Sequence, residues 1–131
     1  MEWRWIDKRV LLLLHDESLA EHGGSRGLRD EGLLDSALAG PLHLVASSDP
    51  DITELAACHA FGLARNRAFI AGSKRVAFLA LGLFLHLNGW RLGASQAHAT
   101  TVMLDVAAGK FTELELAAWI KRHAQPRATT R

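Results

Sequence analysis

Apolar residues recur at intervals of three and four along most of the chain, and few segments alternate apolar with polar residues. Such spacing gathers apolar side chains on one face of a helix, whereas alternation is typical of a half-buried strand. The pattern predicts an all-α fold, a compact bundle of about six helices. These helices are expected near residues 7–22, 30–40, 51–65, 73–87, 95–109 and from 112 onward.

Polar residues at the starts of several segments support these boundaries. Asp30, Ser73 and Ser95 each stand where a helix N-cap is expected, because their side chains can accept a hydrogen bond from a free backbone N–H. Thr112 with Glu115 has the spacing of a capping box. Four of the six helices are therefore predicted to begin at a capping side chain.

The pattern also predicts how the early helices end and which way the first one faces. Residues 40–41, a Gly-Pro pair, are predicted to stop the second helix, and residues 90–92 are predicted to form a short extended piece. In the first helix, four apolar residues at helical spacing are predicted to face inward: Val10, Leu13, Leu14 and Leu19.

The fourth segment is apolar on every side over residues 76–85, so it is predicted to be a buried central helix. The connection after the first helix is rich in glycine and arginine and is expected to be exposed. It is called the flap below and consists of Gly23, Gly24, Ser25, Arg26, Gly27, Leu28 and Arg29. From the residues alone, it can be a simple connection or a binding segment.

Composition narrows the functional classes. The 131 residues are 49% hydrophobic and 22% charged, which suits one globular domain, predicted over residues 1–124 with a flexible polar tail over 125–131. Fifteen basic and fourteen acidic residues give a net charge of +1, so no direct nucleic-acid or membrane contact is expected. Cys58 is the only cysteine, which excludes an intrachain disulfide and fits a cytoplasmic protein.

One short segment carries the strongest chemical signal. Gly72, Ser73, Lys74 and Arg75 lie where a loop enters the central helix, and a helix N-terminus attracts anions through its free N–H groups and partial positive charge. Two cations in a first helical turn are unfavourable unless an anion is bound nearby. The segment can therefore bind a phosphate group, or its cations can simply point into solvent.

No other group of residues has the pattern of a catalytic or metal site. The seven histidines match no zinc spacing, so no metal site is predicted. His15 adjoins Asp16, and Cys58 adjoins His59, but sequence neighbours on a helix point in different directions. His59 is interpreted as a packing residue and Cys58 as a buried, inert thiol.

Residues 60–75 resemble the signature HxFx[D/N]xNKR of the Fic/Doc family, and residues 77–81 and 84–90 resemble its central helix and the following turn. Residues 15–17 and 21–34 are similar to the N-terminal part of the Doc-type, death-on-curing toxins, which includes a flap that holds the target peptide. The resemblance implies the Fic fold, ATP as the cofactor and a target-binding role for the flap.

This chain departs from that signature at the reactive positions. The motif histidine, which is the general base in the family, is replaced by Arg67, and the acidic residue that helps to hold magnesium is replaced by Ala71. Ser73 stands in the place of the motif asparagine. Phe69, expected in the core, and the phosphate-binding Gly72, Lys74 and Arg75 match. The resemblance thus implies a retained anion site, but Mg²⁺ binding is doubtful because the acidic ligand is absent.

The functional expectations follow from this resemblance. Family members transfer part of ATP to a protein hydroxyl; most transfer the adenylyl group, whereas Doc-type toxins phosphorylate elongation factor Tu, which halts translation. A Phd-like antitoxin neutralises them. With the base and the acidic ligand replaced, we expect a Doc-type toxin that is inactive or strongly impaired. The alternatives are a non-catalytic nucleotide- or protein-binding module, an AMP-transferring enzyme, a transfer reaction in which Arg67 stabilises phosphate charge, and a purely structural helical domain.

Overall fold

The computed structural model describes residues 2–127 and contains six helices with a small two-stranded sheet. The elements in chain order are α1 (Lys8–His22), α2 (Glu31–Ser47), α3 (Ile52–Asn66), α4 (Ser73–Leu87), β1 (Trp90–Leu92), α5 (Gln96–Ala107), α6 (Glu113–His123) and β2 (Ala124–Pro126). The mostly helical architecture confirms the predicted all-α class, and β1 is the predicted extended piece.

Side-chain caps begin five of the six helices. The capping residues are Asp7, Asp30, Asp51, Ser95 and Thr112, and both α3 and α6 have a complete capping box. The predicted cap at Ser73 is wrong. Gly72 is the residue that precedes α4, with φ of 82°, and no side chain within residues 2–127 caps this helix. A left-handed glycine turns the chain here, so Ser73 becomes the first helical residue.

The second helix is longer than predicted, because α2 continues through Pro41 to Ser47. A proline inside a helix removes one hydrogen bond and costs about 3 kcal/mol in an exposed helix. Here Pro41 is buried and α2 packs closely on α3. A Cβ atom added at Gly40 would lie 3.4 Å from the Cys58 Sγ, and one at Gly62 would lie 3.4 Å from the Ala37 Cβ.

The face of α1 that packs on the protein differs from the prediction. Val10 and Leu13 are 41% and 61% exposed, whereas Leu11 and His15 are buried. Leu19 is buried as predicted, and Leu14 is half-buried. Five consecutive apolar residues, 10–14, occupy this part of the helix, so spacing alone could not select the buried face.

The predicted central helix is confirmed, although it shares the centre with α3. Helix α4 packs against α1, α3, α5 and β1, while α3 also contacts α2 and α6. Phe84 and Leu81 of α4 are fully buried between them. No helix within residues 2–127 combines the length and apolar character needed to cross a membrane.

The first residues of the predicted tail, 125–127, form backbone hydrogen bonds with another part of the chain. Gln125 and Pro126, expected to lie in a flexible tail, pair antiparallel with Arg91 and Trp90. The N–H of Arg127 also donates to the Gly89 carbonyl at 2.9 Å. These backbone bonds hold the segment against the turn after α4. Residues 128–131 of the predicted tail lie outside the described residues.

Candidate functional site

The candidate site is built around residues 67–75, called the motif loop, which connect α3 to the first turn of α4. Arg67 follows the last residue of α3 in a left-handed conformation, with φ of 54°. Its side chain is exposed. Among non-glycine residues in 2–127 this is the single positive φ. Such a conformation costs about 1–2 kcal/mol and has to be held by its surroundings.

Arg29 from the flap holds this backbone. Its Nε donates to the Arg67 carbonyl at 2.8 Å, and its Nη2 donates to the Asn66 carbonyl at 3.0 Å. The last carbonyls of a helix lack intrahelical partners and carry a partial negative charge, so a guanidinium is favoured there. Arg29 therefore caps the C-terminus of α3 and ties the flap to the motif loop.

Backbone bonds extend this connection. Leu28 and Phe69 form an isolated antiparallel bridge. The N–H groups of Arg29 and Asp30 donate to the Ala68 carbonyl at 2.7 and 3.1 Å, and the Ile70 N–H donates to the Gly27 carbonyl at 3.1 Å. The structure thus brings the C-terminal part of the flap together with the motif loop.

The N-terminal part of the flap also packs closely on this loop. Gly24 has φ of 125°, and a Cβ atom added there would lie 3.1 Å from both the Ala71 Cβ and the Leu19 Cδ2. A larger residue at this position would therefore strain the backbone and crowd the motif loop. Ser25 and Arg26, between the two contacts, are exposed.

His15 of α1 supports the motif loop from inside the protein. It is 2% exposed, and its Nε2 donates to the Ala71 carbonyl at 2.7 Å. The imidazole stacks on Phe69, itself 3% exposed, with ring centroids 3.8 Å apart. Sequence reasoning missed this role. The four-residue spacing of Leu11, His15 and Leu19, all on the buried face of α1, was the available signal.

The start of α4 presents unpaired hydrogen-bond donors. No acceptor within residues 2–127 pairs with the N–H groups of residues 73–75. Lys74 and Arg75 are exposed, and the first turn contains no acidic residue. The Ser73 Oγ is buried and has no hydrogen-bond partner among the described residues. This end of the helix is therefore electrostatically suited to an anion.

A groove of about 490 Å³ extends from these cations between α1, α4 and α5. Lys74 and Arg75 line one part, Glu17 and Glu21 line the α1 wall, and the remaining lining is mostly apolar. Ser18 also lines the groove; it is 6% exposed and its Oγ lacks a partner within the described chain. Arg67 and the flap lie outside the groove lining.

Comparison with known proteins identifies the family. A sequence model of the Fic/DOC family matches residues 5–85 of this chain, which include α1, the flap, α3, the motif loop and most of α4. The chain belongs to the Fic/DOC family. The resemblance seen in the sequence is thereby confirmed, and the helical structure is consistent with the Fic fold.

Two relatives extend this assignment. The chain is 45% identical over 74 residues to "Toxin Doc" of Mycolicibacterium smegmatis, a match that covers 55% of this chain and 57% of that protein. It is 28% identical over 120 residues to "Protein kinase doc" of Escherichia phage P1, which covers 91% of this chain and 94% of the phage protein. The chain thus spans little more than half of the first relative and nearly all of the second.

The family's divalent cation does not fit the residues of this loop. Ala71, where the signature has an acidic residue, offers no side-chain ligand. Within residues 2–127, no group of three or more histidine, cysteine or acidic side chains is arranged to hold a metal ion. Magnesium takes oxygen ligands and is usually bound through one or two carboxylates.

Cys58 and His59, the other two residues weighed for chemistry, lie on α3 away from the motif loop, and neither has the properties of a catalytic group. Burial raises the pKa of the Cys58 thiol to about 11, with a smaller contribution from the charge of Glu113. At neutral pH this thiol is therefore not a thiolate nucleophile. His59 is 2% exposed and packs against the rings of Trp5 and Phe84, as a packing residue would.

Proposed function

We propose that this chain is a Doc-type toxin of a toxin–antitoxin pair in which the transfer reaction is lost or strongly impaired. One observation carries the proposal: free backbone N–H groups and exposed cations stand together at the start of α4, while Arg67 and Ala71 occupy the positions of the family's base and acidic ligand. Arginine stays protonated at ordinary pH, so Arg67 cannot accept a proton from a target hydroxyl.

By family, the reaction is phosphoryl transfer to a protein hydroxyl. The γ-phosphoryl group would pass from ATP to the hydroxyl oxygen, ADP would leave, and the hydroxyl proton would go to the base. The name "Protein kinase doc" of the phage relative favours this reaction over adenylyl transfer. The proposed target is elongation factor Tu, which implies a cytoplasmic protein and inhibition of translation as the effect of an active form.

The flap is proposed to position that target. The hydrogen bonds that Arg29 donates to the motif loop, and the one that the Gly27 carbonyl accepts from the Ile70 N–H, hold an exposed segment directly beside the residues that would face the reacting hydroxyl. Ser25 and Arg26 are exposed at its middle, where a target peptide could contact them. This arrangement supports a binding role better than that of a free connection between α1 and α2.

The groove between α1 and α5 is the proposed site of the Phd-like antitoxin. Its apolar lining includes Phe78 and Met103, its α1 wall is acidic through Glu17 and Glu21, and it ends at Lys74 and Arg75. An amphipathic antitoxin segment with basic residues facing α1 and an acidic residue facing α4 would complement these charges. Bound there, it would cover the cations that otherwise receive phosphate.

The test is to restore the signature. The triple variant Arg67→His, Ala71→Asp and Ser73→Asn regains the base, the metal ligand and the amide. Both proteins are incubated with bacterial lysate and Mg²⁺, using ATP labelled on the α-phosphate in one set and on the γ-phosphate in another. We expect the unmodified chain to transfer no label and the triple variant to transfer the γ label to one main protein.

Each other result points to a specific alternative. Transfer of the α label by the triple variant would identify an AMP-transferring enzyme. Label transfer by the unmodified chain would contradict the assigned effect of Arg67. If the folded triple variant transfers neither label, the toxin proposal is wrong. A non-catalytic binding module would then be the better interpretation, because the free N–H groups and cations of α4 still favour an anionic ligand.

A further inference from the structure

The motif loop is strongly cationic without any acidic partner. Residues 67–75 include Arg67, Lys74 and Arg75 but no aspartate or glutamate. Within residues 2–127, none of these three cations forms an ion pair. All three side chains are exposed. A loop that coordinated a divalent cation would need negative oxygen ligands, and this loop has the opposite charge.

Uncharged donors at the same place also lack partners. The N–H groups of residues 73–75 are free at the start of α4, and the Ser73 Oγ is buried without a partner in the described chain. On the adjoining groove wall, the Ser18 hydroxyl is unpaired although the residue is only 6% exposed. Buried hydroxyls without hydrogen bonds are uncommon because each costs free energy. A ligand with several acceptor oxygens would pair with the free N–H groups at the start of α4.

We propose that the motif loop binds the phosphate groups of a nucleoside triphosphate without a divalent cation, with the guanidinium of Arg67 supplying positive charge in place of the metal. This deepens the proposed function, since the ligand class is taken from it. Arg67 is suited to the role because a guanidinium is always charged and binds phosphate oxygens with a planar pair of donors. Arg29, through its bonds to the Asn66 and Arg67 carbonyls, fixes the backbone that carries this side chain.

The replacements at two positions are coupled in this interpretation. Loss of the carboxylate at residue 71 removes a metal ligand, and it also removes a negative charge that would repel phosphate when no metal is bound. Gain of a cation at residue 67 adds attraction for the same phosphate. A histidine at position 67 with an aspartate at position 71 would require the metal, whereas the arginine and alanine of this chain would not.

The experiment is calorimetric titration of the full chain with ATP, once with EDTA and once with excess Mg²⁺. We expect binding in EDTA that is at least as tight as with Mg²⁺. The variant Arg67→Gln should weaken binding in EDTA by about tenfold or more, as expected for loss of charge-assisted hydrogen bonds. Arg122→Gln, which removes an exposed arginine from α6, is the matched control and should bind like the unmodified chain. Thermal unfolding of each variant checks that it is folded.

Several outcomes would overturn the inference. Binding that requires Mg²⁺, or equal affinity of folded Arg67→Gln and the unmodified chain, would each contradict it. The triple variant Arg67→His, Ala71→Asp and Ser73→Asn should bind ATP more tightly with Mg²⁺ than with EDTA. If the unmodified chain binds no ATP while the triple variant transfers label, metal-free binding is wrong but the proposed function stands. If the unmodified chain binds ATP in EDTA but the triple variant transfers no label, metal-free binding is supported and the proposed function is wrong.

Discussion

Arg67 and Ala71 alter the chemistry of the motif loop without being the residues that shape it. The loop backbone is fixed by the left-handed Gly72, by Phe69 in the core, and by the bond from His15 to the Ala71 carbonyl. A side chain at residue 71 projects from this backbone but does not make the hydrogen bond. Residues 67 and 71 can therefore differ from the family signature while the backbone geometry of the loop stays in place.

His15 tests whether residues outside positions 67 and 71 hold the backbone of the motif loop. The variant His15→Phe keeps an aromatic ring to stack on Phe69 but removes the Nε2 donor to the Ala71 carbonyl. We expect it to reduce the free energy of unfolding by about 1 kcal/mol, the net contribution of a typical intramolecular hydrogen bond. Urea denaturation measures this change. His22→Phe, at the exposed end of α1, is the control, and equal stability of both variants would show that the bond contributes nothing.

At the scale of elements, the flap and α3 are joined by one side chain. The Arg29 guanidinium binds the last carbonyls of α3, and the adjoining backbone pairs with residues 68 and 70 of the motif loop. A helix C-terminus stabilised by a cation loses that stabilisation when the cation is removed. The position of the flap is thus coupled to the position of Arg67.

The variant Arg29→Met should loosen this coupling while keeping a long apolar stem. We expect faster hydrogen exchange at the Ile70 amide, which donates to Gly27 across the flap, and an overall loss of about 1 kcal/mol of stability. Arg26→Met in the same flap is the matched control, because Arg26 forms no side-chain bond with the described residues. Unchanged exchange at Ile70 in Arg29→Met would contradict a tethering role.

The elements also show where sequence reasoning succeeds and fails. Starts of helices depend on local capping chemistry, so Asp30, Ser95 and the Thr112 capping box were predictable. Helix α2 continues past residues 40–41, where Gly40 lies close to Cys58 of α3, and no local signal contains that tertiary contact. The same holds for the site: residues 72–75 were predictable as a loop entering a helix, whereas the pairing of Leu28 with Phe69 depends on the tertiary fold.

At the scale of the whole molecule, one buried cluster joins every helix. It includes Leu11 of α1, Leu34 of α2, Leu55 of α3, Leu81 of α4, Val102 of α5 and Leu116 of α6. A single shared core makes the helices stabilise one another, so unfolding should be one cooperative transition. Stability changes measured on the motif loop or the flap are then changes in the stability of the whole domain.

His59 lies in this core and makes its stability depend on pH. Its two ring nitrogens are buried without hydrogen-bond partners in the described chain, between the rings of Trp5 and Phe84. Burial lowers the pKa of His59 from 6.5 to about 4. Between these two values the unfolded chain takes up the proton first, so stability falls as the pH falls from about 6.5 toward 4 and is unaffected by this group at higher pH.

The variant His59→Leu tests this pH dependence. Each unit of pKa difference corresponds to about 1.4 kcal/mol, so the unmodified chain should lose about 2 kcal/mol from His59 between pH 7 and pH 5. Over the same interval, the free energy of unfolding of His59→Leu should fall by about 2 kcal/mol less than that of the unmodified chain, because leucine fills the site without a titrating group. His43→Leu, which replaces an exposed histidine of α2, is the control and should keep the pH dependence of the unmodified chain. Urea denaturation at several pH values gives the comparison. Parallel pH profiles for the unmodified chain and His59→Leu would contradict the prediction, because they would show that folding does not lower the pKa of His59.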